Sequence, residues 1–470
     1  MNRKRVAGMA GVAAACVLLA LAGHILSEEK NGIVTDAGGN EIARLMYGSQ
    51  TDDNQMDGNR TVRYDCADGY EAYIDLACRE AAEILCERKG IREEEAFRML
   101  VEEEMTIQTA FRSDVMEGLL DVCGEGRMPS GVLATERAAA VGDTKGHVLA
   151  CYSHSAEDSS RNYVTYPTYA GSTIKSLSVY GPAIEDDIIC WSDLYLDSPY
   201  WRTVNADGEE EVWPVNTGSY TDKMWTVQEA LKKSNNAIAV KVLKDYGVGN
   251  SCRFLREKFG LKTEVEERAV FDGKEDDVLS HIALGYLAAG ITMRDLLGAY
   301  QPFANGGVYT PMHAVTAIQT GDGKECYQEE FKATQVFSPE TAFVMNRMLK
   351  TVVEKDGTGE AAFIEGLDIC GKTGTSDESR DNWFVGMTPE YVCAVWYGLP
   401  GAGMKNESPA VFREIMARVE HHEGLEYQKS ENVVEVAYCE KTGLLANEFC
   451  KEQKAGYYKK QNMLEECDCR

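Results

Sequence analysis

Residues Tyr169–Tyr180 read YAGSTIKSLSVY. A serine follows a glycine, a lysine stands three positions on, and a short apolar-patterned run closes the stretch. Two readings compete. In one, Ser172 caps the backbone N–H groups of an ordinary helix, as serine commonly does at a helix start. In the other, Ser172 is a nucleophile and Lys175, one turn on and on the same face, is its base. A lysine takes up a proton only when burial or a nearby positive charge lowers its pKa. The second reading therefore requires another cation and a closed pocket.

Both requirements have candidates downstream. Ser234-Asn235-Asn236 alone reads as a turn or helix break. It also offers a hydroxyl to relay a proton and an amide to grip a peptide bond. Lys372-Thr373-Gly374-Thr375 falls on an expected edge strand. It supplies a cation, hydroxyls and a glycine whose missing side chain lets a substrate approach. An extended peptide can add to such an edge. The tripeptide KTG is weak by itself, since it recurs at Lys441-Thr442-Gly443. Trp225 and Trp383 lie near these motifs and read first as core packing. Asp377 and Glu378 read as loop residues.

The surrounding pattern predicts a helix over Thr173–Glu185, a strand over Gly146–Ser153, and two helical pieces in 226–245 broken at Ser234-Asn235-Asn236. A further helix runs over 333–353, with Ser338-Pro339-Glu340 as its start. After Gly371 the period changes to successive strands joined by a Thr-Pro turn. Residues Tyr73–Glu104 read as helices punctuated by Gly90, and 28–65 as a linker or loosely ordered pedestal. Strands and helices without regular alternation imply a sheet flanked by helices.

The chain has 470 residues, of which 44% are hydrophobic, enough for one large domain with smaller attachments. Its formal net charge of -28 argues against a nucleic-acid partner. The N-terminal MNRKR precedes the apolar run Val6–Ser27, which is long enough to span a bilayer. The basic residues favour a cytoplasmic N-terminus, so an anchor is expected over 1–27. A cleaved signal ending at Ala20-Leu21-Ala22 is the competitor. Either places the rest of the chain outside the cytoplasm. Cys16 lies in that run, and the other cysteines are mostly widely spaced, with no CxxC pair. That spacing reads against zinc. An exported chain is permitted disulfides, and Cys439 and Cys450, which bracket one short segment, are the first pair to test.

The order SxxK, SxN, KTG is a known catalytic set. The blocks AGSTIKSLSVYGPAIE, WPVNTGSYTDKMWTVQEALKKSNNAIAVKV, GITMRDLLGAYQPFANGGVYTPMHAV, VFSPETAFVMNRMLKTVVEKDGTG and GKTGTSDESRDNWFVGMTPEYVCAVWYG accompany it. Over residues 135–425 the chain resembles the transpeptidase domain of the penicillin-binding proteins, in particular the bifunctional class A type. The resemblance implies an α/β (α+β) fold of the serine β-lactamase and penicillin-binding-protein type, an antiparallel sheet flanked by helices. With the apolar run as an anchor or signal peptide over 1–27, the chain divides into a linker and helical pedestal over 28–134, the transpeptidase domain over 135–425 and a cysteine-containing tail over 426–470. Between the anchor and Thr135 there is no room for a glycosyltransferase domain, so a monofunctional enzyme is expected. VAYCEKTGLLANEFC resembles the segment after the domain in some class A members, which makes the second KTG a decoy.

The resemblance further implies a D,D-transpeptidase acting on stem peptides that end in D-Ala-D-Ala, with β-lactams as inhibitors. A separate glycan polymerase would be its partner, and it would be single-pass in the membrane. Ser172 would be the nucleophile, Lys175 its base and Ser234 a proton relay. The N–H groups of Ser172 and Thr375 would hold the oxyanion. Asn236, Lys372, Thr373 and Gly374, with Thr375, would bind the substrate backbone and terminal carboxylate. No metal or organic cofactor is expected. A D,D-carboxypeptidase or β-lactamase, and a β-lactam sensor that acylates without transfer, share the motifs. No residue is identified as a dedicated deacylating glutamate, and Glu185 reads as a helix-end residue.

Overall fold

Small and branched apolar residues in consecutive strand positions build the sheet that carries the site. In the computed structural model, which describes residues 30–47, 62–126, 128–205, 208–262, 275–330, 332–376, 380–398 and 405–470, five strands form one antiparallel sheet. They are β1 (Glu136–Asp143), β2 (Val148–Ser155), β3 (Cys370–Thr375), β4 (Asp381–Met387) and β5 (Tyr391–Gly398), in the order β3-β4-β5-β1-β2. Residues 137–142 of β1 are all buried, so both faces of the sheet are covered. Register shows by what. Gly386, Cys393 and Val141 lie in one row, and a Cβ on Gly386 would strike Phe412 of the helix Ser408–Met416. Gly142 looks the other way, onto Leu297 of the helix Met293–Tyr300. Alternation along β3 then turns Cys370, Lys372 and Gly374 towards that second helical layer. β3 is the sheet edge, as its sequence predicts.

Three helices frame the site. The stretch 171–185 is helical but irregular, with a tight turn Gly171–Ile174, a wide turn Ser176–Tyr180 and an ordinary turn Gly181–Glu185. Wide turns free backbone groups and recur at functional sites. Here Tyr300 Oη donates to Thr173 O (2.5 Å), Ser178 Oγ to Ile174 O (3.0 Å), and Ser251 Oγ to Ser178 O (2.6 Å). The predicted break at 234–236 divides α1 (Val227–Lys232) from α2 (Asn236–Tyr246). Thr226 Oγ1 caps α1, accepting from Glu229 N (3.1 Å), and Asn235 Oδ1 caps α2, accepting from Ile238 N (2.9 Å). α3 (Pro339–Val353) starts at the predicted Ser338 cap. Glu185 completes that cap, accepting from Ser338 N (3.0 Å) and Ser338 Oγ (2.8 Å).

The chain forms two units, one of residues 1–109 with 315–329, the other of 110–314 with 330–470. The first holds a six-stranded sheet built from Glu325–Gln328, Val315–Gln319, Thr106–Thr109, Gly32–Thr35, Glu41–Tyr47 and Val62–Cys66, in that order. The helices Glu71–Lys89 and Glu93–Glu102 belong to it, and Gly90 ends the first in the left-handed conformation. The segment expected to be a linker therefore contributes strands. Val34, Ala43 and Leu45 are buried in it, a signal obscured by the neighbouring Gly, Asp and Asn residues.

The anchor expected over 1–27 lies outside the described residues, and no described helix is long and apolar enough to cross a membrane. The fold is accordingly a mixed α+β fold with no described anchor, and the expected membrane contact and single-pass localisation do not stand. An apolar run of sufficient length is a compositional condition for a spanning helix, and no described helix meets it.

Replacing Glu185 with Ala leaves two donors at the start of α3 without their acceptor. Hydrogen bonds to a charged group contribute about 2 kcal/mol. The urea midpoint of E185A should fall by that equivalent with the slope unchanged. An unaltered midpoint would show that solvent replaces the carboxylate without loss.

Candidate active site

Ser172 sits in the tight first turn of its helix, half-buried, and among the described residues its hydroxyl has no hydrogen-bond partner. Lys175, one turn on, is fully buried. Its Nζ donates to Ser234 O (2.9 Å) and Asn236 Oδ1 (2.6 Å), with a longer contact to Ser234 Oγ (3.5 Å). Lys372 is also fully buried. Its Nζ donates to Ser234 Oγ (2.8 Å) and Thr373 O (3.0 Å). The Ser234 hydroxyl thus lies between two amines that water does not reach.

Two buried amines so placed do not both keep a proton. Burial, and then the Lys372 charge, hold the Lys175 amine well below the ordinary lysine range. Burial alone brings Lys372 down to about 7. A neutral amine has two N–H donors and one lone pair. The two donors of Lys175 are used by Ser234 O and Asn236 Oδ1, which leaves the lone pair as a proton acceptor. Lys372, when charged, keeps one N–H beyond its two bonds. The second cation that Ser172 requires as a nucleophile is present, and both amines are buried.

Ser234 reaches this position with φ of +57°, a left-handed conformation that costs a non-glycine residue energy. Its surroundings hold it there. Asp197 is buried and accepts from Asn235 Nδ2 (2.7 Å), Asn216 Nδ2 (3.0 Å), Thr221 N (2.8 Å) and Thr221 Oγ1 (2.8 Å). Burial works against its charge, but these donors, Asn235 foremost, hold the carboxyl below its ordinary range. Asn216 Oδ1 in turn accepts from Asn236 N (2.9 Å), and Asn236 Nδ2 donates to Val215 O (2.7 Å). Asp197 and Asn216 escape a motif search because nothing in their spacing links them to the Ser234 turn.

At the strand edge, Thr373 Oγ1 meets Thr358 Oγ1 (2.8 Å), and Thr375 is exposed. Asn406 Nδ2 donates to Gly374 O (2.9 Å) and Thr375 Oγ1 (3.3 Å), a second support that the motifs did not signal. The glycine has a use beyond the one expected. A Cβ at 374 would lie 2.5 Å from Ala170 O, and one on Gly171, at φ +52°, would lie 2.8 Å from Thr375 N. The missing side chains let the nucleophile turn itself lie against β3. The three motifs therefore converge: Lys175, Ser234, Asn236 and Lys372 share hydrogen bonds, and the turn that carries Ser172 lies against the strand of Thr373, Gly374 and Thr375. Trp383 is buried, its indole N–H donating to Tyr169 O (2.9 Å), and half-buried Trp225 donates to Thr221 Oγ1 (3.0 Å). Asp377 and Glu378 lie outside the described residues. The second KTG is remote in role: Gly443 O accepts from Ser192 Oγ (2.5 Å).

Residues 138–417, more than half of the chain, match the family described as the penicillin binding protein transpeptidase domain. The chain belongs to that family. It carries a D,D-transpeptidase-type catalytic domain, as the three motifs imply. It is 30% identical over 278 residues to penicillin-binding protein 1A of Clostridium botulinum, covering 57% of this chain and 32% of that protein. It is 33% identical over 241 residues to penicillin-binding protein 4 of Bacillus subtilis, covering 51% and 36%. The chain thus spans about a third of the length of these relatives. Its fold is shared with the D,D-transpeptidase domain of a peptidoglycan glycosyltransferase from Eggerthella lenta, with a TM-score of 0.59 at 17% identity over 83% of this chain and 98% of that one.

The electrostatics predict two distinct lysines. In a nitrogen-15 NMR titration of lysine-labelled protein, Lys372 should change charge near pH 7, while surface lysines do so near about 10.4. Titration of every lysine at the surface value would show that water enters the pocket. Gly374→Ala should destabilise the fold by about 1–3 kcal/mol through overpacking, read from thermal unfolding. Wild-type stability would mean the nucleophile turn can yield.

Proposed function

We propose that this protein is a monofunctional peptidoglycan D,D-transpeptidase working through a Ser172 acyl-enzyme. The observation that carries the reading is the buried pair Lys175 and Lys372 around the Ser234 hydroxyl, one amine free to accept a proton and the other able to hold a carboxylate. In this reading residues 28–134 serve as pedestal, 135–425 as the transpeptidase domain and 426–470 as tail. A separate glycan polymerase supplies the strands.

Lys175 takes the proton of Ser172 as Oγ attacks the carbonyl of the D-Ala-D-Ala bond in a stem peptide. The backbone N–H groups of Ser172 and Thr375 stabilise the oxyanion, and the approach of Gly171 to Thr375 supports that pairing. The C–N bond breaks, and the departing D-alanine amine receives its proton through Ser234 from Lys175. Asn236 and the edge strand hold the stem peptide, while Lys372, Thr373 and Thr375 hold its terminal carboxylate through charge-assisted bonds. An acceptor amine then attacks the ester, forms the cross-link and releases Ser172. With a β-lactam the cleaved amide nitrogen stays tethered to the acyl group, so the adduct persists.

Glu185 is engaged at the cap of α3, which leaves slow deacylation as the expectation. Intact mass after incubation with benzylpenicillin should show one lasting adduct on wild type and none on Ser172→Ala. Ser234→Ala should slow its formation about 10²- to 10⁴-fold. Rapid drug loss without an adduct would establish a β-lactamase instead, and labelling of Ser172→Ala would remove the nucleophile assignment. The pH profile follows from the two amines. Acylation needs Lys175 neutral and Lys372 charged, so its second-order rate should fall as pH rises through about 7. A rate that stays flat through the ordinary lysine range would exclude the Lys372 charge from binding.

A further inference from the structure

Residues 439–452 and 460–470 have almost no hydrocarbon core. Their only buried side chains are those of Cys439, Cys450 and Cys467, with Leu444, Ala446 and Cys469 packed against them. Segments of this size are not held by apolar burial alone and depend on a bridge or a metal. The four sulfurs arrive from three places. Cys439 ends the strand Val433–Cys439, which pairs with Gln453–Lys459. Cys450 lies in the connection between these strands, and Cys467 and Cys469 lie in the final segment. Cys467 N donates to Leu445 O (2.8 Å) and Leu445 N to Glu465 O (3.0 Å), which docks that segment on the connection. The four Sγ atoms all lie within 4.8 Å of one another, and all four cysteines are free.

We propose that Cys439, Cys450, Cys467 and Cys469 bind one structural zinc ion. A tetrahedron of zinc–sulfur bonds of about 2.3 Å sets its sulfurs about 3.8 Å apart, and Cys439 Sγ stands 3.9 Å from Cys469 Sγ. Four sulfur ligands suit a soft, tetrahedral ion and exclude calcium and magnesium. They leave no open position, which makes the site structural. The groups around the sulfurs fit. Thr442 Oγ1 donates to Cys467 Sγ (3.2 Å) and Asn447 N to Cys450 Sγ (3.4 Å). Asn447 Nδ2 holds the backbone oxygens of Cys467 (2.6 Å) and Cys469 (3.1 Å). Such outer contacts orient metal ligands. The wide spacing of these cysteines argues against zinc when read along the chain, but the strand pairing and the docked final segment remove that distance.

The site would fix a tail that grips the end of the nucleophile helix. Buried Lys459 donates to Ile184 O (2.8 Å) and Glu185 O (3.1 Å), the last carbonyls of that helix, and Tyr458 Oη to Ser192 Oγ (2.7 Å). The test is elemental analysis of the full chain purified under reducing conditions. One zinc per chain is expected, lost in the double variant Cys467→Ser with Cys469→Ser and retained in Cys326→Ser, a cysteine outside the cluster. Replacement of zinc by cobalt(II) in the wild-type chain should give the intense thiolate-to-cobalt absorption of a tetrahedral sulfur site, a readout independent of any variant's folding. Absence of bound zinc and of that absorption would overturn the proposal. So would an unreduced mass lower than the sequence mass by two hydrogens for each disulfide. None of these outcomes depends on acylation of Ser172.

Discussion

Two lysine amines buried around one hydroxyl are the constraint on which the remainder of the site depends. A buried ammonium loses its hydration, and two of them side by side repel in a medium that screens poorly. The fold meets this by lowering both pKa values, through burial at each and, at Lys175, through the Lys372 charge as well. A shared hydroxyl alone would leave the choice of neutral partner open. The difference comes from the acceptors. Lys175 faces one backbone carbonyl and one amide oxygen, which a neutral amine satisfies with its two hydrogens. Lys372 faces the Ser234 hydroxyl and a carbonyl next to the strand edge, where an incoming carboxylate would favour its charge.

That division of roles demands that Ser234 present both its carbonyl and its hydroxyl to the amines, and an ordinary turn does not do this. The left-handed backbone at Ser234 does, at an energetic cost. The cost is offset by bonds that share the same few residues. Asn235 caps α2 with its oxygen and binds Asp197 with its nitrogen, and Asn216 binds Asp197 while capping the same helix. Asp197 is thus a positioning residue, acting on the reaction only through the turn it fixes. A network so fully satisfied favours a single geometry over many.

This explains which parts were legible in the sequence. Local chemistry could be read: Ser338 as a cap, the break at Ser234-Asn235-Asn236, the edge strand at Lys372, and the need of Ser172 for a second cation all follow from residues close together in the chain. What was missed joins distant segments. Asp197, Asn216 and Asn406 act through partners that only folding supplies, and a lone Asp or Asn in a polar stretch has the same local pattern whether it is solvated or buried. Gly374 shows the limit in another form. Its missing side chain could be predicted to matter, but the sequence could not say that the nearest occupant of the space is Ala170. The strands within 30–66 failed for compositional reasons, because short alternations such as Ile33-Val34 and Ala43-Arg44-Leu45 are diluted by turn residues.

The nucleophile helix is held at both ends, and the two attachments constrain different motions. At its start, Gly171 and Gly374 bring backbone against backbone, so Ser172 is located by contact with the strand that would bind substrate. At its end, Lys459 holds the terminal carbonyls, while Glu185 reaches across to the cap of α3. Cations suit the carbonyl end of a helix and carboxylates the amide end, so each attachment follows the backbone polarity it meets. Between them the helix departs from regular geometry in the tight turn Gly171–Ile174 and the wide turn Ser176–Tyr180, and Tyr300 and Ser251 satisfy the carbonyls of Thr173 and Ser178 there. A helix fixed at both ends with its irregular turn bonded from outside cannot rotate Lys175 away from Ser234 without breaking several buried hydrogen bonds together. The tail therefore belongs to the same mechanical unit as the nucleophile, although none of its residues faces Ser172.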